Sequence, residues 1–175
     1  GRTILGKNGL FAAVEPSTAQ DYILASSKKK AKLTLSGDGE DYILDFKGDD
    51  EYAINQSDPT VFYEFNGNDK YSLNSGFSEC YIYDYKGKDI YEAQIADTEL
   101  YSYDYKGNDT YTTDDYAKIN AKDYKGNDKY YLYSSSIKQN IDDYNGDDKY
   151  IIENSLPVDV EEEDEIGQIA KKLDN

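Results

Sequence analysis

Tyr83-Asp84-Tyr85-Lys86-Gly87-Lys88-Asp89-Ile90-Tyr91 is followed twenty residues later by Tyr103-Asp104-Tyr105-Lys106-Gly107-Asn108-Asp109-Thr110-Tyr111. The same phrase extends outward in both directions: LDFKGDDEY from Leu44, YEFNGNDKY from Tyr63, AKDYKGNDKY from Ala121 and IDDYNGDDKY from Ile141. The six central glycines are Gly48, Gly67, Gly87, Gly107, Gly126 and Gly146, at intervals of 19, 20, 20, 19 and 20 residues. Repetition at a fixed period of this size marks a solenoid, in which each repeat is one coil stacked on the last.

Alternate residues of a strand share a face. In each repeat a Tyr stands four residues after the Gly (Tyr52, Tyr71, Tyr91, Tyr111, Tyr130, Tyr150). Two residues further on come Ile54, Leu73, Ala93, Thr113, Leu132 and Ile152. This pattern predicts a strand with both positions turned inward. Seven and five residues before a Gly stand Thr60/Phe62, Cys80/Ile82, Leu100/Ser102, Ile119/Ala121 and Gln139/Ile141. These small or apolar pairs predict the facing strand. Two short strands and two turns make a flattened coil, and coils stack about 4.8 Å apart through parallel pairing. The predicted fold is all-β: a parallel β-roll, or β-solenoid, over residues 18–155.

The flanks are read as caps. Residues 1–17 contain the apolar run Leu10–Val14. Residues 156–175 include VEEEDEIGQIAKKL from Val160, with acids early and lysines late, which suits a short acidic C-terminal α-helix. The chain starts at Gly without a signal peptide and reads as a cut fragment.

Composition narrows the function. The chain has 175 residues, 36 acidic against 19 basic, a net charge of −17, twenty Tyr and no His. Such acidity excludes nucleic acid as an ordinary partner and points to cations. No apolar run is long enough to span a membrane. Cys80 has no partner for an internal disulfide and suits the core. With no His, and no nucleophile beside a base, no catalytic residue stands out, and the chain reads as a non-enzyme.

Upstream of the six repeats, Ser36–Leu44 reads SGDGEDYIL. It resembles the glycine-rich nonapeptide G-G-x-G-x-D-x-U-x of the RTX, or haemolysin-type calcium-binding, family, with Ser36 in place of the first Gly. The six later phrases keep Gly-x-Asp-x-U with Tyr at U, but carry an acid and an aromatic where the family has Gly-Gly. The resemblance implies a calcium-binding β-roll from a secreted or surface-attached bacterial protein. Such modules fold on meeting calcium after export. It equally allows a C-terminal domain of an exported protease or lipase whose catalytic domain lies outside this chain.

The acids fall into two columns. Two residues after each Gly stand Asp50, Asp69, Asp89, Asp109, Asp128 and Asp148, with Asp41 in the upstream nonapeptide. These are the candidate metal ligands. Calcium accepts six to eight oxygens in loose geometry, and zinc or copper would need His or Cys. Three residues before each Gly stand Asp45, Glu64, Asp84, Asp104, Asp123 and Asp143, as additional ligands or supporting carboxylates. One calcium in each of five gaps between turns would add about +10, taking −17 to about −7. A metal-free alternative stays open, because Asp and Asn in Gly-containing turns often bond only their own backbone. Asn68, Asn108 and Asn127 suit a hydrogen-bonded ladder, and Lys47, Lys86, Lys106 and Lys125 would screen the acids.

Two sets of aromatics remain. Phe46, Phe65, Tyr85, Tyr105, Tyr124 and Tyr144 precede the glycines by two and predict a ring stack that holds coils together. Tyr63, Tyr83 and Tyr103, with Tyr81 and Tyr101, occupy positions that take Lys122, Asp142, Asn120 and Asn140 in later coils. They therefore predict an exposed patch for a glycan, surface or protein partner.

Overall fold

The computed structural model of the chain describes residues 3–5, 22–25, 30, 32–36, 39–74, 79–95, 97–114, 116–134, 139–154 and 159–162. These form sixteen strands and, among the described residues, no helix. In chain order the strands are β1 Thr3–Leu5, β2 Tyr22–Ala25, β3 Lys32–Leu35, β4 Asp41–Asp45, β5 Glu51–Ile54, β6 Thr60–Glu64, β7 Lys70–Leu73 and β8 Glu79–Asp84. They continue as β9 Ile90–Ala93, β10 Glu99–Asp104, β11 Thr110–Thr113, β12 Lys118–Asp123, β13 Lys129–Ser134, β14 Asn140–Asp143, β15 Lys149–Asn154 and β16 Asp159–Glu162.

From β2 to β16 the even-numbered strands, with β1 beside β2, make one parallel sheet of nine. The odd-numbered strands from β3 to β15 make a second parallel sheet of seven. One strand of each, with the turns between, is a coil, and about six coils stack into a β-solenoid. Period and register agree residue for residue. Tyr52, Tyr71, Tyr91, Tyr111, Tyr130 and Tyr150 align strand to strand in the second sheet. In the first, Asp45, Glu64, Asp84, Asp104, Asp123 and Asp143 do the same.

The interior is narrow, and two kinds of packing fill it. The inward tyrosines of the second sheet stack ring on ring, with centroids 4.7–5.3 Å apart and planes within 14°. Each such pair contributes about 0.5–1.5 kcal/mol beyond burial. The first sheet answers with smaller side chains, among them Cys80, Ile82, Leu100, Ser102 and Ala121, all buried. Where it carries a large one, Phe62, the ring meets Tyr52 and Tyr71 edge-on at 4.8 and 5.2 Å. Burial also pushes the Cys80 thiol far up, so it behaves as an inert apolar group.

The repeat glycines have a steric reason. A Cβ on any of the six would lie within 3.0 Å of the carboxylate two residues on. A Gly107→Ala variant should therefore lose about 1–3 kcal/mol of stability, read from its denaturant midpoint in calcium. An unchanged midpoint would mean the corner can open freely.

Two readings of the flanks change. The ladder of the first sheet starts earlier and ends later than residues 18–155, through β1 paired with β2 and β16 paired with β14. The C-terminal helix expected from Val160 is corrected at its start: Val160–Glu162 lie in β16, with Val160 opposite Ile141. The open edge of β14 supplies backbone partners that an extended segment can use and a helix cannot, so tertiary pairing overrides local propensity. The remainder of that helix and the apolar run Leu10–Val14 lie outside the described residues.

Candidate metal centre

The alternation that turns positions −7 and −5 inward continues to position −3. It therefore carries Asp45, Glu64, Asp84, Asp104, Asp123 and Asp143 into the interior, each no more than 2% exposed. After the turn, Asp50, Asp69, Asp89, Asp109 and Asp128 are buried as deeply. Asp148, in the last turn, is half-buried. The two columns meet inside one corner of the solenoid and form a file of carboxylates down its length.

Within the file most carboxylates divide their two oxygens between two jobs. One oxygen builds the turn. Asp45, Asp84, Asp104 and Asp123 accept from the amides of Lys47, Lys86, Lys106 and Lys125 at 3.0–3.2 Å, and Glu64 accepts from Asn66 at 2.8 Å. In the other column the acceptor bridges coils. The amides of Asp50, Asp69, Asp89, Asp109 and Asp128 donate to the carboxylate of the next coil's Asp at 2.5–2.7 Å. This accounts for the turn-building role that Asp commonly plays.

The second oxygens point into the file. Oδ2 of Asp69, Asp89, Asp109 and Asp128, Oε2 of Glu64 and Oδ1 of Asp143 are buried with no hydrogen-bond partner. Tyrosine hydroxyls reach some of the others. Tyr91 donates to Asp104 at 2.8 Å, Tyr111 to Asp123 at 3.1 Å, and Tyr130 and Tyr150 to Asp143 at 3.0 and 3.1 Å. Tyr52 donates to Asp45. No described Lys forms an ion pair with Glu64, Asp69, Asp84, Asp89, Asp104, Asp109, Asp123, Asp128 or Asp143. The ion pairs, such as Lys70–Glu92 and Lys118–Glu99, lie on the outer surface.

The carboxylates converge in four groups: Glu64, Asp69 and Asp84; Asp84, Asp89 and Asp104; Asp104, Asp109 and Asp123; and Asp123, Asp128 and Asp143. Within each group one oxygen per residue lies within 4.8 Å of the others, as a single divalent cation requires. Asp84, Asp104 and Asp123 each belong to two groups, so neighbouring sites share a carboxylate.

Burial without counter-charge makes ionisation costly, and the carboxyls move accordingly. Burial, reinforced by neighbouring acids, raises Glu64 to about 10, Asp89 to about 11 and Asp109 and Asp123 to about 9. For the same main reason Asp69 and Asp128 rise to about 8, and Asp84 and Asp143 to about 7. Asp104 also rises. As anions these groups need a cation among them.

The opposite edge shows that stacking itself does not need acids. There several buried polar groups are neutral and hydrogen-bonded. Gln139 donates to Ala117 O at 2.8 Å and accepts from the Ile119 amide at 2.7 Å, and Thr98 donates to Ile95 O at 2.7 Å. Asp41 belongs to this side. It begins β4, aligned with Thr60 and at the far end of the strand from Asp45, and none of the four groups includes it. The Gly39 turn nearby pairs with the next coil instead, through Asp58 and Gln56.

The structure also places the outward aromatics. Tyr63, Tyr83 and Tyr103 stack at 4.9–5.1 Å, and Tyr81 on Tyr101 at 4.8 Å, all on the outer face of the first sheet. Tyr81 and Tyr101 donate to Glu79 and Glu99. The hydrogen-bonded ladder of the metal-free alternative forms in two stretches, Asn68 on Asp49 and Asp147 on Asn127 on Asn108, interrupted at Lys88. Sequence reasoning missed the hydroxyls of the inward tyrosines, which look purely apolar until a facing column of acids is seen opposite them.

The fold and the site define a parallel β-solenoid with an internal carboxylate file able to hold divalent cations. No protein-family model, no curated protein and no solved structure matches the chain.

Proposed function

We propose that this chain is a calcium-binding β-roll module, of the kind the RTX resemblance implies, and that calcium in the carboxylate file makes the fold stable. The observation that carries this reading is the convergence of buried carboxylates in threes, each group including at least one residue with an oxygen that has no partner. Leaving such groups charged and unpaired costs several kcal/mol each, and a cation removes that cost. The donor set is oxygen alone, which favours calcium over zinc or copper. Calcium also tolerates shared, irregular carboxylate ligation better than magnesium does. Four ions add +8 to −17, leaving −9.

The role that follows is structural: a rod that forms where calcium is abundant and remains unfolded where it is scarce. Such conditional folding suits a bacterial protein that is exported and works at or beyond the cell surface. Its outer tyrosine columns are the surface on offer to a partner. Calorimetric titration of EDTA-stripped protein, followed in parallel by far-UV circular dichroism, tests the reading. Calcium should convert coil to β-structure with about four ions bound per chain, and magnesium should do so poorly. A spectrum indifferent to calcium would refute it.

A further inference from the structure

The corner that holds the carboxylate file has an outer side, and its chemistry is the reverse of the inside. Phe46, Phe65, Tyr85, Tyr105, Tyr124 and Tyr144 form one uninterrupted stack there, with centroids 4.9–5.3 Å apart and planes within 10°. Five of these rings are 39–44% exposed, although they are stacked on both sides or at one end. Next to them, one and three residues on, run Lys47, Asn66, Lys86, Lys106, Lys125 and Asn145, then Asp49, Asn68, Lys88, Asn108, Asn127 and Asp147. Lys47, Lys86, Lys88, Lys106 and Lys125 enter no ion pair among the described residues. Five lysines against two aspartates give this ridge 5 − 2 = +3, on a chain of −17. Between Gly67 and Gly126 no acid is exposed on it, because Asp84, Asp89, Asp104, Asp109 and Asp123 all turn inside.

We infer that this ridge is a binding surface for a linear acidic polysaccharide lying along the solenoid axis. Charge complementarity sets the sign of the partner. Lys86, Lys106 and Lys125 stand in consecutive coils, about one strand spacing of 4.8 Å apart, and so present a row of cations to a row of anions. The ring geometry selects the kind of polyanion. Rings stacked face to face have no faces left for a nucleobase to stack upon. They present their electropositive edges and the hydroxyls of Tyr85, Tyr105, Tyr124 and Tyr144. A surface of ammonium groups, phenol hydroxyls and carboxamides fits a chain that alternates anionic groups with hydroxyls.

The inference rests on the metal reading in one respect. An ionised, ion-free file beneath the ridge would repel a polyanion, and divalent cations in the file remove that repulsion.

The test uses the whole chain in calcium, with dextran sulfate as probe and unsulfated dextran of the same length as control. Calorimetry should show binding of the sulfated chain alone, weakening as salt is raised. A Lys86→Gln/Lys106→Gln/Lys125→Gln variant should bind about tenfold or more weakly while taking up the same number of calcium ions. Tyr85→Phe/Tyr105→Phe/Tyr124→Phe should also weaken binding, with the stack and the circular dichroism spectrum retained. Undiminished binding by the lysine variant, or equal binding of unsulfated dextran, overturns the inference. So does equal binding of a single-stranded DNA of matched charge, which would make the surface a general polyanion site. A protein that takes up calcium but ignores dextran sulfate loses the ridge and keeps the metal. One that binds dextran sulfate without taking up calcium loses the metal and keeps the ridge.

Discussion

In EDTA the chain is expected to be unfolded at neutral pH and to fold as the pH falls towards about 4. The sign follows from the file. Glu64, Asp69, Asp84, Asp89, Asp109, Asp123, Asp128 and Asp143 have folded-state values raised by burial to between about 7 and about 11. In the unfolded chain the same groups ionise near about 4. The folded state therefore holds more protons than the unfolded state throughout the interval between. Stability from these groups is fully present below about pH 4 and is lost as the pH rises through the folded values, by about 1.4 kcal/mol per pH unit for each proton held. Because these neighbouring groups titrate as a set, their raised values are expected to destabilise the metal-free fold at neutral pH. Calcium should reverse the profile, because the ion supplies the charge that the protons otherwise remove. The loaded protein should then be folded at pH 7 and release metal on acidification. Far-UV circular dichroism across this range, with and without calcium, checks both limbs. An EDTA-treated protein as folded at pH 8 as in calcium would show that the carboxylates find their compensation elsewhere.

Substitution at a shared carboxylate should cost twice what it costs at an unshared one. Asp104 belongs to two of the four groups, with Asp84 and Asp89 on one side and Asp109 and Asp123 on the other. Asp109 belongs to one. Asp104→Asn should therefore weaken two sites and lower calcium uptake by about two ions per chain, whereas Asp109→Asn should lower it by about one. Asn keeps an oxygen for the turn amide of Lys106, so the corner can still close. Calorimetric stoichiometry at limiting calcium separates the two variants. Equal losses would mean the ions are not placed between successive acids of the first sheet. In the metal-free protein near pH 4 both variants should be close to the parent in stability, since the amide replaces a protonated acid of nearly the same shape.

The sequence announced the coil because a solenoid repeats its environment. Each coil meets a copy of itself, so the residue that suits one Tyr130 suits Tyr111 and Tyr150 as well, and the period becomes visible in the text of the chain. Alternation then sorted inside from outside except at Ile152 in the last coil, which is exposed, and every inward pair expected between Thr60/Phe62 and Gln139/Ile141 is buried. The C-terminal segment was less legible. Val160–Glu162 carries helix-favouring acids, yet it follows the open edge of β14, and an edge is a property of neighbours rather than of local sequence. The position of Asp41 was illegible for a related reason. Its nonapeptide resembles a calcium turn, but its strand places it at the opposite end from Asp45, on the edge where Gln56 and Asp58 bond the Gly39 turn.

By itself the sequence determined a stack of coils of about twenty residues, each with one glycine corner, one inward tyrosine and two acids flanking the glycine. Periodicity and the two-residue alternation of strands are enough for that, since both are local rules applied repeatedly. Only the tertiary structure decided that the acids lie inside the corner and not along its rim. It takes both strands of a coil, and the coil above, to give one carboxylate oxygen to a backbone amide and bring the carboxylate up to its neighbours. Convergence of that kind is set by distances across the fold, and burial then turns an ordinary acidic column into one that needs a proton or a metal ion.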